Sequence, residues 1–168
     1  MGYLNPILSF GINNFFKSAK KVGIDGLIVV DVPSEEDREI FNKAKENNID
    51  LIKLATPTTG TERLKKILKT CSGFLYYIAI KGITGTKSAN PKLVKDSIIN
   101  IKKNANIPLA VGFGIKSPSD AKVIANTGCD GIIVGSALIK IIENSLKNEK
   151  SDRNIALKVG NMVKNLKA

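Results

Sequence analysis

The sequence predicts an α/β protein in which parallel strands are covered by helices. Three observations predict it. Short, near-continuous apolar runs rich in β-branched residues recur along the chain, amphipathic segments of helical spacing separate them, and two of the runs end in glycine turns that lead into helices. Apolar runs without alternation mark strands buried on both faces, the pattern of a parallel sheet. With 168 residues and 43% hydrophobic content the chain can hold one core, so a single domain over residues 1–168 is expected.

Taken in order, Met1-Gly2-Tyr3-Leu4 reads as the tail of a strand, and full strands are expected over residues 26–31, 50–55, 74–80, 108–111 and 131–134. Helical spacing covers residues 34–48, 61–70, 90–104, 118–127 and 136–147, and residues 152–167 suit a closing helix. Ser34 before Glu35-Glu36-Asp37 has the form of an N-cap with an acidic first turn, and Pro91 and Pro118 suit first-turn positions. Five strands and a tail do not close an eight-stranded barrel. Two architectures remain: a flavodoxin-like open sheet complete as written, with unpaired edges to protect, or the C-terminal part of a larger (β/α)₈ barrel.

Composition excludes several classes of function. The net charge of +11 comes mainly from 23 lysines, with arginine only at Arg38, Arg63 and Arg153. Pairs such as Lys20-Lys21, Lys65-Lys66 and Lys102-Lys103 read as solvated helix faces, not as the clustered, aromatic-interleaved charge of a nucleic-acid reader. The basic field does suit an anionic substrate. No apolar run approaches the ~20 residues of a membrane span, and the first residues do not form a signal peptide. A cytoplasmic protein is expected. Cys71 and Cys129 read as buried or unreactive thiols, and with no histidine in the chain no metal site is expected.

The two glycine turns are the main chemical signal. Leu109-Ala110-Val111-Gly112-Phe113-Gly114 and Gly131-Ile132-Ile133-Val134-Gly135-Ser136 lie one strand-helix unit apart. Glycine lets backbone N–H groups close on phosphate oxygens, and the positive end of a helix adds to the attraction. In a (β/α)₈ barrel, phosphate sits at the loops after the seventh and eighth strands.

A set of blocks decides between the architectures. Met1-Gly2-Tyr3-Leu4-Asn5-Pro6-Ile7, Asp31-Val32-Pro33, Ala55-Thr56-Pro57, Lys81-Gly82-Ile83-Thr84-Gly85, Gly112-Phe113-Gly114-Ile115 and Gly135-Ser136-Ala137 occur in one order and spacing. The chain resembles the tryptophan synthase alpha chain family from its first residue to its last. The resemblance implies a partial (β/α)₈ TIM barrel, running from the end of the third strand to the eighth with helices outside. It implies the lyase reaction of tryptophan biosynthesis, an aromatic amino acid pathway: cleavage of indole-3-glycerol phosphate to indole and glyceraldehyde 3-phosphate. The implied partner is a beta chain in an α2β2 assembly. Pyridoxal phosphate would belong to that beta chain, and no cofactor to this one.

Site residues follow from the same resemblance. Gly82, Gly112, Phe113, Gly114, Gly135 and Ser136 would hold phosphate, and Ile83, Thr84 and Gly85 would form the active-site loop. Tyr3, Ile28, Val30, Leu54, Tyr76, Phe113 and Ile133 would wall the indole. Leu4, Asn5, Pro6, Ile7, Asp31, Val32 and Pro33 would face the partner, and Lys81 would meet either phosphate or solvent. Family members begin about a hundred residues before the position of Met1, as expected for a barrel of typical length. That preceding stretch carries the family's catalytic Glu and Asp. The chain therefore holds no catalytic residue of the family and is expected to be inactive by itself. The alternatives are a non-catalytic protein that binds phosphate or a beta chain, and another phosphate-binding barrel enzyme, for which Lys53 is the one inner-strand lysine of note.

Overall fold

The computed structural model describes residues 1–33, 37–79, 91–112, 114–148 and 152–167. Its elements are α1 (Leu4–Phe10), α2 (Ile12–Lys21), β1 (Gly26–Ile28), α3 (Arg38–Glu46), β2 (Asp50–Ala55), α4 (Thr61–Lys69), β3 (Leu75–Ile78), α5 (Pro91–Lys102), β4 (Leu109–Gly112), α6 (Pro118–Ala125), β5 (Gly131–Ile133), α7 (Ser136–Asn148) and α8 (Asp152–Leu166). The residues group into two compact units. One comprises Met1–Ile78 with Asn100–Leu109, the other Ala79–Ile99 with Ala110–Ala168.

In the first unit β1 pairs in parallel with β2 and β2 with β3, placing Ile28 beside Ile52 and Leu54 beside Tyr76. Leu75 N–H donates to Pro108 O at 2.8 Å. Side chains alternate across a strand, so each strand divides its residues between two faces. Leu27, Val29, Leu51, Lys53, Ala55, Leu75 and Tyr77 are all buried and share one face. On it, Leu27, Val29 and Leu51 pack with Phe16 and Ala19 of α2 and Ile40 and Ala44 of α3. Ile28, Val30, Leu54 and Tyr76 occupy the opposite face and are half-buried.

The expected strand tail at Met1-Gly2-Tyr3-Leu4 is reduced to a single parallel bridge. Gly2 N–H donates to Ile28 O at 2.9 Å, and Val30 N–H donates to Gly2 O at 3.1 Å. From Leu4 the chain forms two helices that the sequence reading did not anticipate. Pro6 is tolerated because it lies in the first turn of α1, where its missing N–H leaves no helical bond unmade. Gly11, at φ +84°, ends α1 and starts α2. Phe10, Phe15 and Phe16 pack edge to face, with ring centroids 6.3 and 5.5 Å apart.

In the second unit β4 and β5 pair in parallel, with Gly112 beside Ile133, and Ala79 N–H donates to Gly112 O at 3.1 Å. Val111, Ile115, Ala121, Ile124 and Ile155 are buried there. Pro91 opens α5 and Pro118 opens α6, as expected. Helix α6 begins with a capping box. Ser117 Oγ accepts from Asp120 N–H at 3.2 Å, and Asp120 Oδ2 accepts from the N–H groups of Lys116 and Ser117, each at 3.0 Å.

The Lys116 N–H, followed by the Ser117 side chain, holds the Asp120 carboxyl below its usual range. A carboxylate with a depressed folded-state pKa contributes stability above its unfolded value and loses it as pH falls through the folded one. Ser117→Ala is expected to destabilise the protein by about 0.5–2 kcal/mol at neutral pH. The difference from wild type should shrink as Asp120 protonates, a trend that urea unfolding across the acid range checks.

Candidate functional site

The turns after β4 and β5 differ in the donors they leave open. At the first, Gly114 takes φ +42°, a left-handed conformation that glycine adopts without strain. The helix that follows, α6, is already capped by its own Asp120, so an anion arriving there meets a carboxylate. The second turn carries no such charge. Leu138 and Ile139 N–H donate to Gly135 O at 2.9 and 3.1 Å. Ser136 and Ala137 stand at the start of α7, where backbone N–H groups have no acceptor within the helix. There is no acidic residue in the first turn, and Gly135 and Ser136 are exposed. A Cβ built on Gly135 meets nothing within 4 Å among the described residues. This turn thus offers backbone donors, a hydroxyl and a helix N-terminus at one point.

In the first unit the apolar face of Ile28, Val30, Leu54 and Tyr76 continues to the C-terminal ends of β1 and β2. A cavity of about 240 Å³ opens there, lined in part by Val30, Leu54, Val32, Pro33, Lys53 and Arg63. Asp31 follows β1, and its Oδ1 accepts from Leu4 N–H at 2.8 Å, which joins the loop after β1 to the first residue of α1. Leu4, Asn5, Pro6, Asp31, Val32 and Pro33 are half-buried or exposed, whereas Ile7 is buried in the core under them.

Lys53 projects from the helix-facing side of β2 and forms a buried ion pair with Asp37 Oδ2. Thr70 Oγ1 donates to the same oxygen at 3.1 Å. Asp37 Oδ1 has no hydrogen-bond partner among the described residues. Lys53 is thus already paired, on the side of the strand opposite to Leu54 and Tyr76, although it borders the cavity at the strand ends.

Both cysteines are free and half-buried. Burial pushes the Cys71 thiol up to about 11, which keeps it protonated and poorly nucleophilic at neutral pH.

The sequence matches the family described as tryptophan synthase alpha chain over residues 1–167. The chain belongs to the tryptophan synthase alpha chain family. It is similar to a tryptophan synthase alpha chain of Petrotoga mobilis, with 52% identity over 145 residues, covering 86% of this chain and 56% of that one. Among solved structures it is similar to tryptophan synthase subunit alpha from Legionella pneumophila, at TM-score 0.87 and 33% identity, covering 99% of this chain and 59% of that chain. It is also similar to a chain in a structure of the tryptophan synthase α2β2 complex of Pyrococcus furiosus, at TM-score 0.83 and 35% identity, covering 98% and 64%. It spans less than two thirds of the length of each. The fold class is α/β, a partial (β/α)₈ barrel whose five parallel strands have helices around them.

For a tryptophan synthase alpha chain, the expected site residues fall into three groups. Gly112, Gly114, Gly135, Ser136 and Ile133 lie in the second unit around paired strands β4 and β5. Tyr3, Ile28, Val30, Leu54 and Tyr76 lie in the first, all half-buried except Tyr3, which is exposed. Lys81, Gly82, Ile83, Thr84, Gly85 and Phe113 lie outside the described residues, as does Ser34; the N-cap position of α3 falls to Asp37 and not to Ser34, because the helix begins at Arg38. Sequence reasoning passed over two residues that shape the site's surroundings. Asp37 was read only as part of an acidic first turn. Asp120 was visible as Ser117-Pro118-Ser119-Asp120, a capping-box pattern that by itself announces an occupied helix start.

Proposed function

We propose that this chain carries the phosphate- and indole-binding part of a site for indole-3-glycerol phosphate, the compound that the family reaction cleaves to indole and glyceraldehyde 3-phosphate. The start of α7 carries the reading: an exposed Gly135-Ser136 turn with free donors, no acid in its first turn, and strand β5 leading into it beside Gly112. In this reading Gly112, Gly114, Gly135 and Ser136, with Phe113 and Gly82, hold the phosphate, and the Ser136 hydroxyl adds a donor to the backbone ones. Ile28, Val30, Leu54 and Tyr76 offer the indole ring an apolar strand face, with Tyr3, Phe113 and Ile133 completing the wall. By the family resemblance, Ile83, Thr84 and Gly85 belong to the active-site loop of this reading.

Cleavage requires protonation of indole C3, removal of a proton from the indole nitrogen and abstraction of a proton from a glycerol hydroxyl. In this reading no residue of the chain takes the part of the family's catalytic Glu and Asp, and the chain binds without cleaving: phosphate contacts that hold substrate and transition state equally do not raise kcat. The reading also takes residues 1–168 as one incomplete barrel domain in the cytoplasm. Among the described residues no helix is long and apolar enough to cross a membrane. The partner is a tryptophan synthase beta chain, which would hold the pyridoxal phosphate, met through Leu4, Asn5, Pro6, Asp31, Val32 and Pro33 with Ile7 supporting them from the core.

Calorimetry with glycerol 3-phosphate tests the reading. Gly135→Asp sets a carboxylate where phosphate oxygens would approach, and the open space at this position lets the side chain in without disturbing the fold. Measurable binding to wild type and its loss in the folded variant are expected; equal affinity of the two would remove Gly135 from the site. The second reading is a non-catalytic protein that binds phosphate or a beta chain, favoured by an anion turn without aligned proton-transfer groups. Comparing the affinity for indole-3-glycerol phosphate with that for glycerol 3-phosphate separates the two, since only the first reading has the indole ring contribute to binding. A barrel enzyme using Lys53 as nucleophile is disfavoured by the Lys53–Asp37 pair on the helix side of β2.

A further inference from the structure

A cavity of about 380 Å³ opens where β2 begins, at the other end of the strand from the cavity described above. Its lining comes from α3, the turn into β2 and the Cys71-Ser72 step before β3, all within the first unit. Small-molecule sites typically have such volumes. The floor is apolar: Ile49 and Leu51 are buried and Phe41 is half-buried. The Cys71 thiol, pushed up to about 11 by burial, is neutral at pH 7 and adds to this floor as a small apolar group.

Two charges of opposite sign stand at the rim. Lys45 and Asp50 both line the cavity and are exposed, and among the described residues neither forms an ion pair. Lys43, in the same last turn of α3, pairs with Glu46 instead. The Asp50 side chain packs against backbone. A Cβ built on Gly73 would lie 3.0 Å from Asp50 Cβ and from its Oδ2, and one built on Gly26 would lie 3.5 Å from Asp50 Cβ. Gly73 takes φ +72°, which glycine adopts without strain. The backbone thus comes close enough to set the carboxylate in place without supplying it a cation.

We propose that this cavity binds a free α-amino acid with a large apolar side chain. The ammonium group meets Asp50, the carboxylate meets Lys45, and the side chain lies on Phe41, Ile49 and Leu51. An amine without a carboxylate leaves Lys45 without a counter-charge, and a carboxylate without an amine meets the like charge of Asp50 at the same rim. Ion pairs at an exposed rim are weak, so the apolar contact supplies much of the affinity and the two charges supply the selection. The site shares no residue with the proposed phosphate and indole contacts and does not rest on that reading.

An NMR titration of amide signals of the 168-residue chain with phenylalanine, and with leucine as the aliphatic probe, tests the proposal. The amide of Leu51, which donates to Ser72 Oγ at 2.9 Å, and those of Asn48 and Ser72 are expected to shift saturably, while those of Gly135 and Ser136 hold. Glycine lacks the side chain, phenethylamine the carboxylate and 3-phenylpropionate the ammonium group. Each is expected to bind at least about tenfold more weakly than phenylalanine. Asp50→Asn and Lys45→Met, both at exposed positions, are expected to stay folded and to weaken phenylalanine binding about tenfold. Lys45→Met should leave phenethylamine binding unchanged, which a general loosening of the cavity would not. Absence of a saturable shift at Leu51 and Ser72 with both amino acids overturns the proposal. So does binding of phenethylamine or 3-phenylpropionate as tight as that of phenylalanine, or full phenylalanine affinity in either folded variant. Should a variant unfold, the comparison of analogues on the unmodified chain decides.

Discussion

Indole-3-glycerol phosphate incubated with the 168-residue chain is expected to release indole at no more than the uncatalysed rate. The apolar wall and the phosphate turns would hold the substrate, but each proton transfer then relies on water. A positioned acid or base typically contributes about 10²–10⁴-fold, so under the proposed reading, which assigns neither to this chain, turnover should lie far below that of a complete enzyme. Supplying a polypeptide that covers the first two and a half strands of a related alpha chain should restore part of the activity. The same polypeptide with Ala at its catalytic Glu should not. Turnover by the unsupplemented chain near the rate of a complete alpha chain would place an acid and a base within these residues, and the assignment of Gly135, Ser136, Leu54 and Tyr76 to binding alone would fail.

Lys53→Met, made without a change at Asp37, is expected to have the largest effect on stability. Lys53 and Asp37 are both buried, so removing the cation leaves a carboxylate without its charge partner and with Thr70 as its one remaining hydrogen bond among the described residues. Breaking such a pair from one side typically costs about 3–5 kcal/mol, whereas replacing both members by apolar groups is often neutral or stabilising. For a chain of this size that loss corresponds to a fall in Tm of roughly 10 °C. Denaturant unfolding of the single and double variants checks the sign of the coupling. A single variant as stable as the double would show that water or a neighbouring donor takes over the Asp37 carboxylate.

The strands were legible because their residues are apolar on consecutive positions. Asp50-Leu51-Ile52-Lys53-Leu54-Ala55 matches β2 from end to end, β1, β3 and β5 are one to three residues shorter than expected, and β4 keeps its four residues shifted by one. Helix α1 was not legible, because Leu4-Asn5-Pro6-Ile7 has no helical period before Gly11 breaks it, and packing of Ile7 into the core supports it instead. Helix α2 was legible but passed over: Ile12, Phe15, Phe16 and Ala19 hold helical spacing, and Phe16 and Ala19 are buried. That the two glycine turns stand between a strand and a helix could be read locally, since glycines next to helix starts leave their mark in the sequence. The difference between the two turns could not be weighed until Asp120 was seen to occupy one of them. The Lys53–Asp37 pair left no trace: its members lie sixteen residues apart on a strand and a helix start, and no periodicity links them.

Cys71 gives this protein a built-in clock. It precedes β3, beside Ser72, whose hydroxyl accepts from Leu51 N–H at 2.9 Å. With the thiol at about 11, roughly one molecule in ten thousand carries a thiolate at pH 7. Alkylating reagents therefore meet an almost inert sulfur while the strand ends stay closed. Once they part, the thiol returns towards its ordinary acidity and is consumed, so the labelling rate at this one atom times the breathing of the first unit with no probe attached to the protein beforehand.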